Sequence, residues 1–215
     1  TPIDGTYLAA ELPDLTVLSE EKLGEFLAAA IAGCTLYIEL GFQIDLASLV
    51  LPTQAHGQRV AVVPPGASQT EWHDWAEKVV PGVETHRSCP VTDLWRSNLT
   101  GQVFDSASLN TVWYELTHGA YGDIQRAKGI FTLEDGRTFY FGFTAGCSLE
   151  NSIELEIPRW GKGRPEHFSG IEILGAALHS VEIAATLKES CLDDQAIAYY
   201  QEQRQNLLEQ EEKIV

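Results

Sequence analysis

A segment in the second half of the chain has the sequence pattern of a β-hairpin. Residues 127–133 and 138–143 are rich in apolar and aromatic side chains, and Glu134-Asp135-Gly136 separates them. Such side chains favour strands, and a short polar connection that contains glycine favours a tight turn. The sequence therefore predicts a hairpin over residues 127–143, so this part of the chain is expected to form a sheet.

The rest of the second half supplies further predicted strands and helices. Residues 111–116 and 171–174 have strand-like composition, and residues 153–157 form a shorter candidate strand. A helix is predicted over residues 180–191. Residues 193–212 are predicted to form a polar helix that is rich in Gln and Glu and has few apolar side chains.

The first 40 residues combine three predicted segments. Residues 1–18 are expected to wrap the core as extended chain. Ser19 has the side chain of a helix N-cap, apolar residues follow it at helical spacing, and Gly33 ends the pattern. Residues 35–40 then have the composition of a strand.

A second predicted unit follows further along the first half. Residues 59–63 are predicted to form a buried strand. Ser68 is expected to cap a helix that extends to Val79, and residues 83–86 form a candidate second strand. The order of strand, helix and strand is typical of an α/β unit.

The two halves therefore differ in their patterns, and residues 101–108 are the expected boundary. We predict an α+β fold. Residues 1–105 form a small α/β region, and residues 106–215 form a β-sheet packed by helices with a long C-terminal helix.

The charge balance of the chain is strongly acidic. The chain has 14 Lys and Arg residues and 31 Asp and Glu residues, which gives a formal net charge of −17. Such a surface repels nucleic acids and anionic membranes, so we expect neither as a partner. No apolar run approaches the roughly 20 residues of a transmembrane helix, so membrane insertion is not expected.

The cysteines indicate a reducing compartment. Cys34, Cys89, Cys147 and Cys191 are widely spaced, and no two of them form a Cys-x-x-Cys pair. This spacing predicts free thiols rather than a disulfide framework. The first residues also lack the basic and apolar regions of a secretory signal. We therefore expect a cytoplasmic protein.

Three motifs of the second half occur in a characteristic order. They read Gln125-Arg126-Ala127-Lys128-Gly129-Ile130-Phe131, then Phe139-Tyr140-Phe141, then Arg164-Pro165-Glu166-His167-Phe168-Ser169-Gly170-Ile171-Glu172-Ile173-Leu174-Gly175. With the helix that follows, residues 111–192 resemble the C-terminal domain of the CobW family of metallochaperone GTPases. The third motif resembles cyanobacterial relatives in particular. The resemblance implies a small sheet packed by helices and a link to metal handling or assembly.

The motifs that the family needs for nucleotide chemistry are missing from the sequence. A phosphate-binding loop requires G-x-x-x-x-G-K-[ST], and the one Gly-Lys pair, Gly161-Lys162, is not followed by Ser or Thr. The family's Cys-x-Cys-Cys and Asn-Lys-x-Asp motifs are also absent. We therefore expect no GTP binding and no enzyme activity, and we interpret the first half as an eroded GTPase remnant or a replacement of one.

Basic residues concentrate in one part of this acidic chain. Residues 159–165 form a glycine-rich basic loop with one tryptophan, and arginine and exposed tryptophan are enriched at binding hot spots. The predicted partner-binding residues are Arg126, Lys128, Arg159, Trp160, Lys162 and Arg164. The alternative is a solvated loop whose charges pair with nearby glutamates.

A metal site is the second kind of site that the sequence offers. His86 and Cys89 have His-x-x-Cys spacing and could supply two ligands to zinc. A structural zinc site needs about four converging ligands, and a pair does not establish one. The alternative is an ordinary surface histidine and a buried cysteine, in which case we expect no cofactor.

These features favour a non-catalytic adaptor, assembly or metal-delivery accessory protein that acts through protein–protein contacts. One alternative is a metal- or small-ligand-binding protein, or an enzyme with an unrecognised site. Another is a permanent subunit of a larger complex.

Overall fold

A computed structural model describes residues 1–18, 58–82, 93–147 and 151–212, with a few isolated positions between residues 19 and 57. The chain forms two compact units. One comprises Thr1–Val17 and Thr85–Val215, and the other comprises Leu18–Glu84. The sequence placed the division at residues 105 and 106, whereas the larger unit also takes in the first 17 residues and residues 85–105.

The smaller unit contains a two-stranded parallel sheet. Strand β1 (Val60–Val63) confirms the predicted strand and pairs with β2 (Lys78–Pro81). The helix predicted from Ser68 to Val79 is too long, because only Glu71–Trp75 is helical. Ala76 already has extended dihedral angles, and the chain after it forms β2. The candidate strand at residues 83–86 lies outside the described residues. We number the short helix α2.

The larger unit is built on a five-stranded antiparallel sheet. Its order is β3 (Asp93–Asn98), β7 (Gly170–Ala176), β4 (Asp123–Thr132), β5 (Thr138–Thr144) and β6 (Asn151–Glu154). Strands β4 and β5 form the predicted hairpin, and the strand predicted at residues 171–174 is also confirmed. Because β3 pairs with β7 along its whole length, residues before 105 belong to this sheet. The α+β class is confirmed.

Two helices cover the first face of this sheet. Residues 111–116 were predicted as a strand, which is wrong, because they lie within helix α3 (Ser106–Thr117). The Asp105 carboxylate accepts a hydrogen bond from the Ser108 backbone N–H at 2.8 Å and caps the helix. Four buried side chains follow at helical spacing: Leu109, Val112, Trp113 and Leu116. These side chains and those of helix α4 (Ser180–Glu189) pack together over Phe131 and Ile173 of the sheet. Helix α4 matches the predicted helix.

The second face of the sheet carries helix α1 (Pro2–Glu11), so the extended conformation predicted for residues 1–18 is wrong. The Thr1 side chain caps this helix, and proline is well tolerated in a first turn. Ile3, Tyr7 and Ala10 recur at helical spacing and pack against the sheet. A short segment with apolar residues at this spacing becomes helical when a sheet buries its apolar side.

The last helix, α5 (Asp194–Glu212), confirms the predicted polar helix. It packs against the loop before β7 through a small cluster of Val103, Trp160 and Ile197, with Leu192 beside them. Over the described part of the chain, no helix has the length and apolar character to cross a membrane.

Candidate functional site

Lys128, predicted to contact a partner, is buried within the second face of the sheet. Its side chain lies on β4, and the residue is only 5% exposed. The ammonium Nζ is 2.7 Å from the Asp4 carboxylate of α1 and 3.1 Å from the Glu172 carboxylate of β7. Glu172 in turn accepts a hydrogen bond from Arg96 on β3 at 2.5 Å. Lys128 is therefore occupied by ion pairs within the chain.

The carboxylates of this network are held in their charged forms. Burial alone would raise the pKa of Asp4, but hydrogen bonds from Lys128 and Thr1 outweigh it and lower that pKa to about 2. Burial also opposes ionisation of Glu172, and hydrogen bonds from Arg96 and Lys128 lower its pKa. The two ion-paired carboxylates contribute fully to the free energy of unfolding above the ordinary carboxyl pKa. This contribution is lost as the pH falls below that value. The network therefore holds α1 on the sheet at neutral pH.

Arg126 lies two residues before Lys128 on the same face, and its environment is open. Across the sheet, Arg126 is opposite Leu174 of β7 and Thr144 of β5, and Leu174 is opposite Leu94 of β3. Arg126 is exposed and Leu94 is 51% exposed. Among the described residues Arg126 has no ion pair. We call Leu94, Leu174, Arg126 and Thr144 the open row.

Trp160 does not present its indole to solvent, so that part of the prediction for residues 159–165 is wrong. The residue is 6% exposed and packs with Val103 and Ile197. The Arg204 guanidinium lies over the indole ring at 5.8 Å. The buried indole N–H of Trp160 has no hydrogen-bond partner in the described part of the structure. Trp160 therefore packs between α5 and the loop that contains Val103.

The other groups of this loop also bind α5. Arg164 pairs with Asp194 at 2.7 Å and donates a hydrogen bond to the Gly101 carbonyl at 2.8 Å. The carbonyls of Gly161 and Gly163 accept hydrogen bonds from Arg204 and Gln201 of that helix. Arg159 and Lys162 are exposed and form no ion pair with any described residue. Most of the groups of this loop are therefore occupied by contacts within the chain, chiefly with α5.

A buried polar cluster joins the hairpin to the loop before β7. His167 Nε2 lies 2.8 Å from the Thr132 hydroxyl and 3.0 Å from the Thr138 hydroxyl. Thr132 also lies 3.4 Å from the Ser169 hydroxyl. The three hydroxyl residues are almost completely buried, and burial lowers the pKa of His167. The hydroxyl groups are therefore inaccessible as nucleophiles and fix the loop in place.

The depressed pKa of His167 predicts a loss of stability in mild acid. The unfolded chain binds a proton near the ordinary histidine pKa of about 6.5, whereas the folded chain binds it only at lower pH. The free energy of unfolding should therefore decrease more between about pH 7.5 and about pH 5.5 in the wild type than in His167→Gln. Urea denaturation at both pH values measures this. The control is Val181→Ala, which truncates a 79% exposed residue without changing a titratable group and should retain the wild-type pH dependence.

The predicted metal ligands His86 and Cys89 lie outside the described residues. Within the described ranges, no group of three or more His, Cys, Asp and Glu side chains could hold a metal ion. The zinc site stays a prediction.

The structure brings the predicted residues together in two places rather than on one surface. Arg126 and Lys128 share one sheet face, while Trp160 and Arg164 contact α5. Sequence reasoning missed Leu94, because no strand was predicted at residues 93–98. The alternation of Leu94 and Arg96 in an edge strand is the signal that could have found it, since alternate side chains share a face.

Comparison with solved structures finds a distant likeness to a CobW-family GTPase. The crystal structure of Zn(II)-bound YjiA GTPase from E. coli is 17% identical over the matched part, with a TM-score of 0.38, and the match covers 46% of this chain and 29% of that chain. A Zn(II)-bound triple mutant of YjiA is 18% identical, with the same TM-score and coverage. The chain thus spans under a third of the length of these proteins. No family model and no curated protein matches the chain.

Proposed function

We propose that the chain is a non-catalytic binding protein that acts through protein–protein contacts, as an adaptor, assembly or metal-delivery accessory. The observation that supports this proposal is the open row, where exposed Leu94 lies across the sheet from Arg126, which has no ion pair among the described residues. The metal-delivery form of the proposal rests on the sequence resemblance to the CobW family.

The open row has the chemistry of a contact surface. Arginine is enriched at hot spots, and its guanidinium binds carboxylates in a bidentate geometry. Leu94 and Leu174 offer apolar surface beside it, which is the usual composition of an interface centre. In a chain with a net charge of −17, an exposed arginine such as Arg126 favours a partner with an acidic group at the contact.

A charge reversal of the open row tests the proposal. The full chain is expressed with an affinity tag in its organism of origin, as wild type and as the variant Leu94→Glu with Arg126→Glu. We expect a protein that co-purifies with the wild type to be reduced about tenfold or more in the variant, because one apolar and one cationic contact are lost and two negative charges replace them. Quantitative mass spectrometry of the eluates measures this.

The matched control is Val181→Glu on α4, where the wild-type residue is 79% exposed on the opposite side of the sheet. Glutamate in a first helical turn is favourable, so the fold should tolerate it. The control should retain the co-purifying protein. An identical set of proteins with the wild type and the open-row variant would contradict the proposal, provided that both have similar melting temperatures.

A further inference from the structure

The second face of the sheet contains an apolar trough beneath α1. Ile3, Tyr7 and Ala10 of the helix lie in it, and the Tyr7 and Tyr140 ring centroids are 4.5 Å apart. The residues that line the trough are Ile130, Tyr140, Leu155, Ile157 and Phe168. Lys128 lies two residues before Ile130 on the same face of β4 and binds Asp4 at 2.7 Å. The trough thus recognises an apolar helix stripe and one carboxylate in the first turn of that helix.

Helix α1 buries few of its own side chains against the described part of the chain. Of its ten residues, only Ile3 and Ala10 are buried. A helix of this length is not stable alone in water, so it folds only while it is docked. Segments with few buried apolar contacts open before the rest of a protein unfolds. Local opening of α1 therefore requires less free energy than unfolding of the sheet.

Gly5 weakens this helix further, and packing does not require it. Of the described residues outside the helix, a Cβ at this position would meet Val17 alone, with Cγ1 at 3.6 Å, which is ordinary contact. Glycine inside a helix is less favourable than alanine because it orders a more flexible backbone. The sequence therefore keeps α1 less stable than the packing would allow.

Opening of α1 would leave Lys128 with a vacant position for an anion. Glu172 would still pair with the ammonium at 3.1 Å, whereas the position of the Asp4 carboxylate would be empty. A helix that docks in place of α1 would bury the ammonium again, so a carboxylate at the vacant position is favoured. The open row begins two residues away along β4, at Arg126, on the same sheet face.

From these contacts we propose that α1 is an exchangeable cover, and that the trough binds in its place an amphipathic helix of another protein with an acidic residue in its first turn. The exchange joins the trough to the open row in one continuous surface. Exchange of α1 is a property of the chain alone, so it can be tested whether or not the proposed function is correct.

Hydrogen exchange of the full chain, followed by mass spectrometry, tests the opening. We expect α1 amides to exchange on the order of 100-fold faster than amides of β4. Gly5→Ala should slow exchange of α1 by roughly fivefold and leave that of β4 unchanged. Equal protection of α1 and β4, with an equal shift of both in Gly5→Ala, would show that α1 opens only with the whole unit, and the proposal would be wrong.

A peptide tests the site itself. A fluorescein-labelled peptide of residues 1–17 is titrated with the full-length Tyr7→Ala variant, in which loss of the Tyr140 contact loosens the cover. We expect saturable binding by fluorescence anisotropy, weaker binding to Gly5→Ala, and at least about tenfold weaker binding of a peptide with Asp4→Asn. Absence of binding to Tyr7→Ala, or equal binding of both peptides, would overturn the proposed recognition.

Discussion

Replacing Phe131 with alanine is expected to lower the free energy of unfolding by about 3–5 kcal/mol. Phe131 is completely buried on β4, beneath helices α3 and α4. Its ring packs edge-on against Phe104 at 5.3 Å, Phe141 at 5.5 Å and Trp113 at 6.1 Å between centroids. Truncation leaves a cavity among three rings that are themselves fixed, so the surroundings cannot collapse into it.

Urea denaturation followed by fluorescence measures this loss as a shift of the midpoint at constant slope. The control is Val181→Ala, a truncation of an exposed residue that should change stability by no more than about 0.5 kcal/mol. A loss in Phe131→Ala as small as that of the control would show that the aromatic cluster does not form the centre of this core.

The same strand connects the core to the proposed binding surface. Alternate residues of β4 point to opposite faces, so Phe131 and Ala127 enter the core while Arg126 and Lys128 lie on the second face. The position of Arg126 is therefore set by burial of its neighbours. A core substitution that leaves the chain folded should not displace Arg126, because its register is fixed by pairing with β5 and β7.

The parts of the fold that sequence predicted well are those determined locally. The hairpin of β4 and β5 follows from two apolar runs and the turn at residues 134–136. The prediction for residues 111–116 was wrong because Thr, Val, Trp and Tyr favour strands individually. The Asp105 cap and the helical spacing from Leu109 to Leu116 carried the stronger signal, since a whole buried stripe outweighs the propensities of single residues.

The candidate site depends on contacts between distant residues, which limits prediction from sequence. The shared face of Arg126 and Lys128 follows from strand alternation. The burial of Lys128 does not, because it depends on Asp4, which lies 124 residues away in the chain. The burial of Trp160 similarly depends on Ile197 of α5. A basic residue or a tryptophan in a loop therefore has the same local pattern whether it binds a partner or its own chain.

Gly122→Ala is expected to be the second strongly destabilising substitution. Gly122 precedes β4 and has a φ of +121°, a region that residues with a side chain rarely adopt. A Cβ there would lie 2.6 Å from the Ala177 carbonyl oxygen and 3.1 Å from that of Ala176. These atoms belong to the backbone at the end of β7, where Asp123 pairs with Ala176, so they cannot move away without breaking that pairing.

The cost should be roughly 2–6 kcal/mol, about half from backbone strain and half from the clash. Gly161→Ala is the matched control, because no atom lies within 4 Å of a Cβ added there. It should change stability by no more than about 0.5 kcal/mol. Thermal and urea denaturation of both variants measure the difference. Equal stability of the two variants would contradict the close approach of β4 and β7 at Gly122.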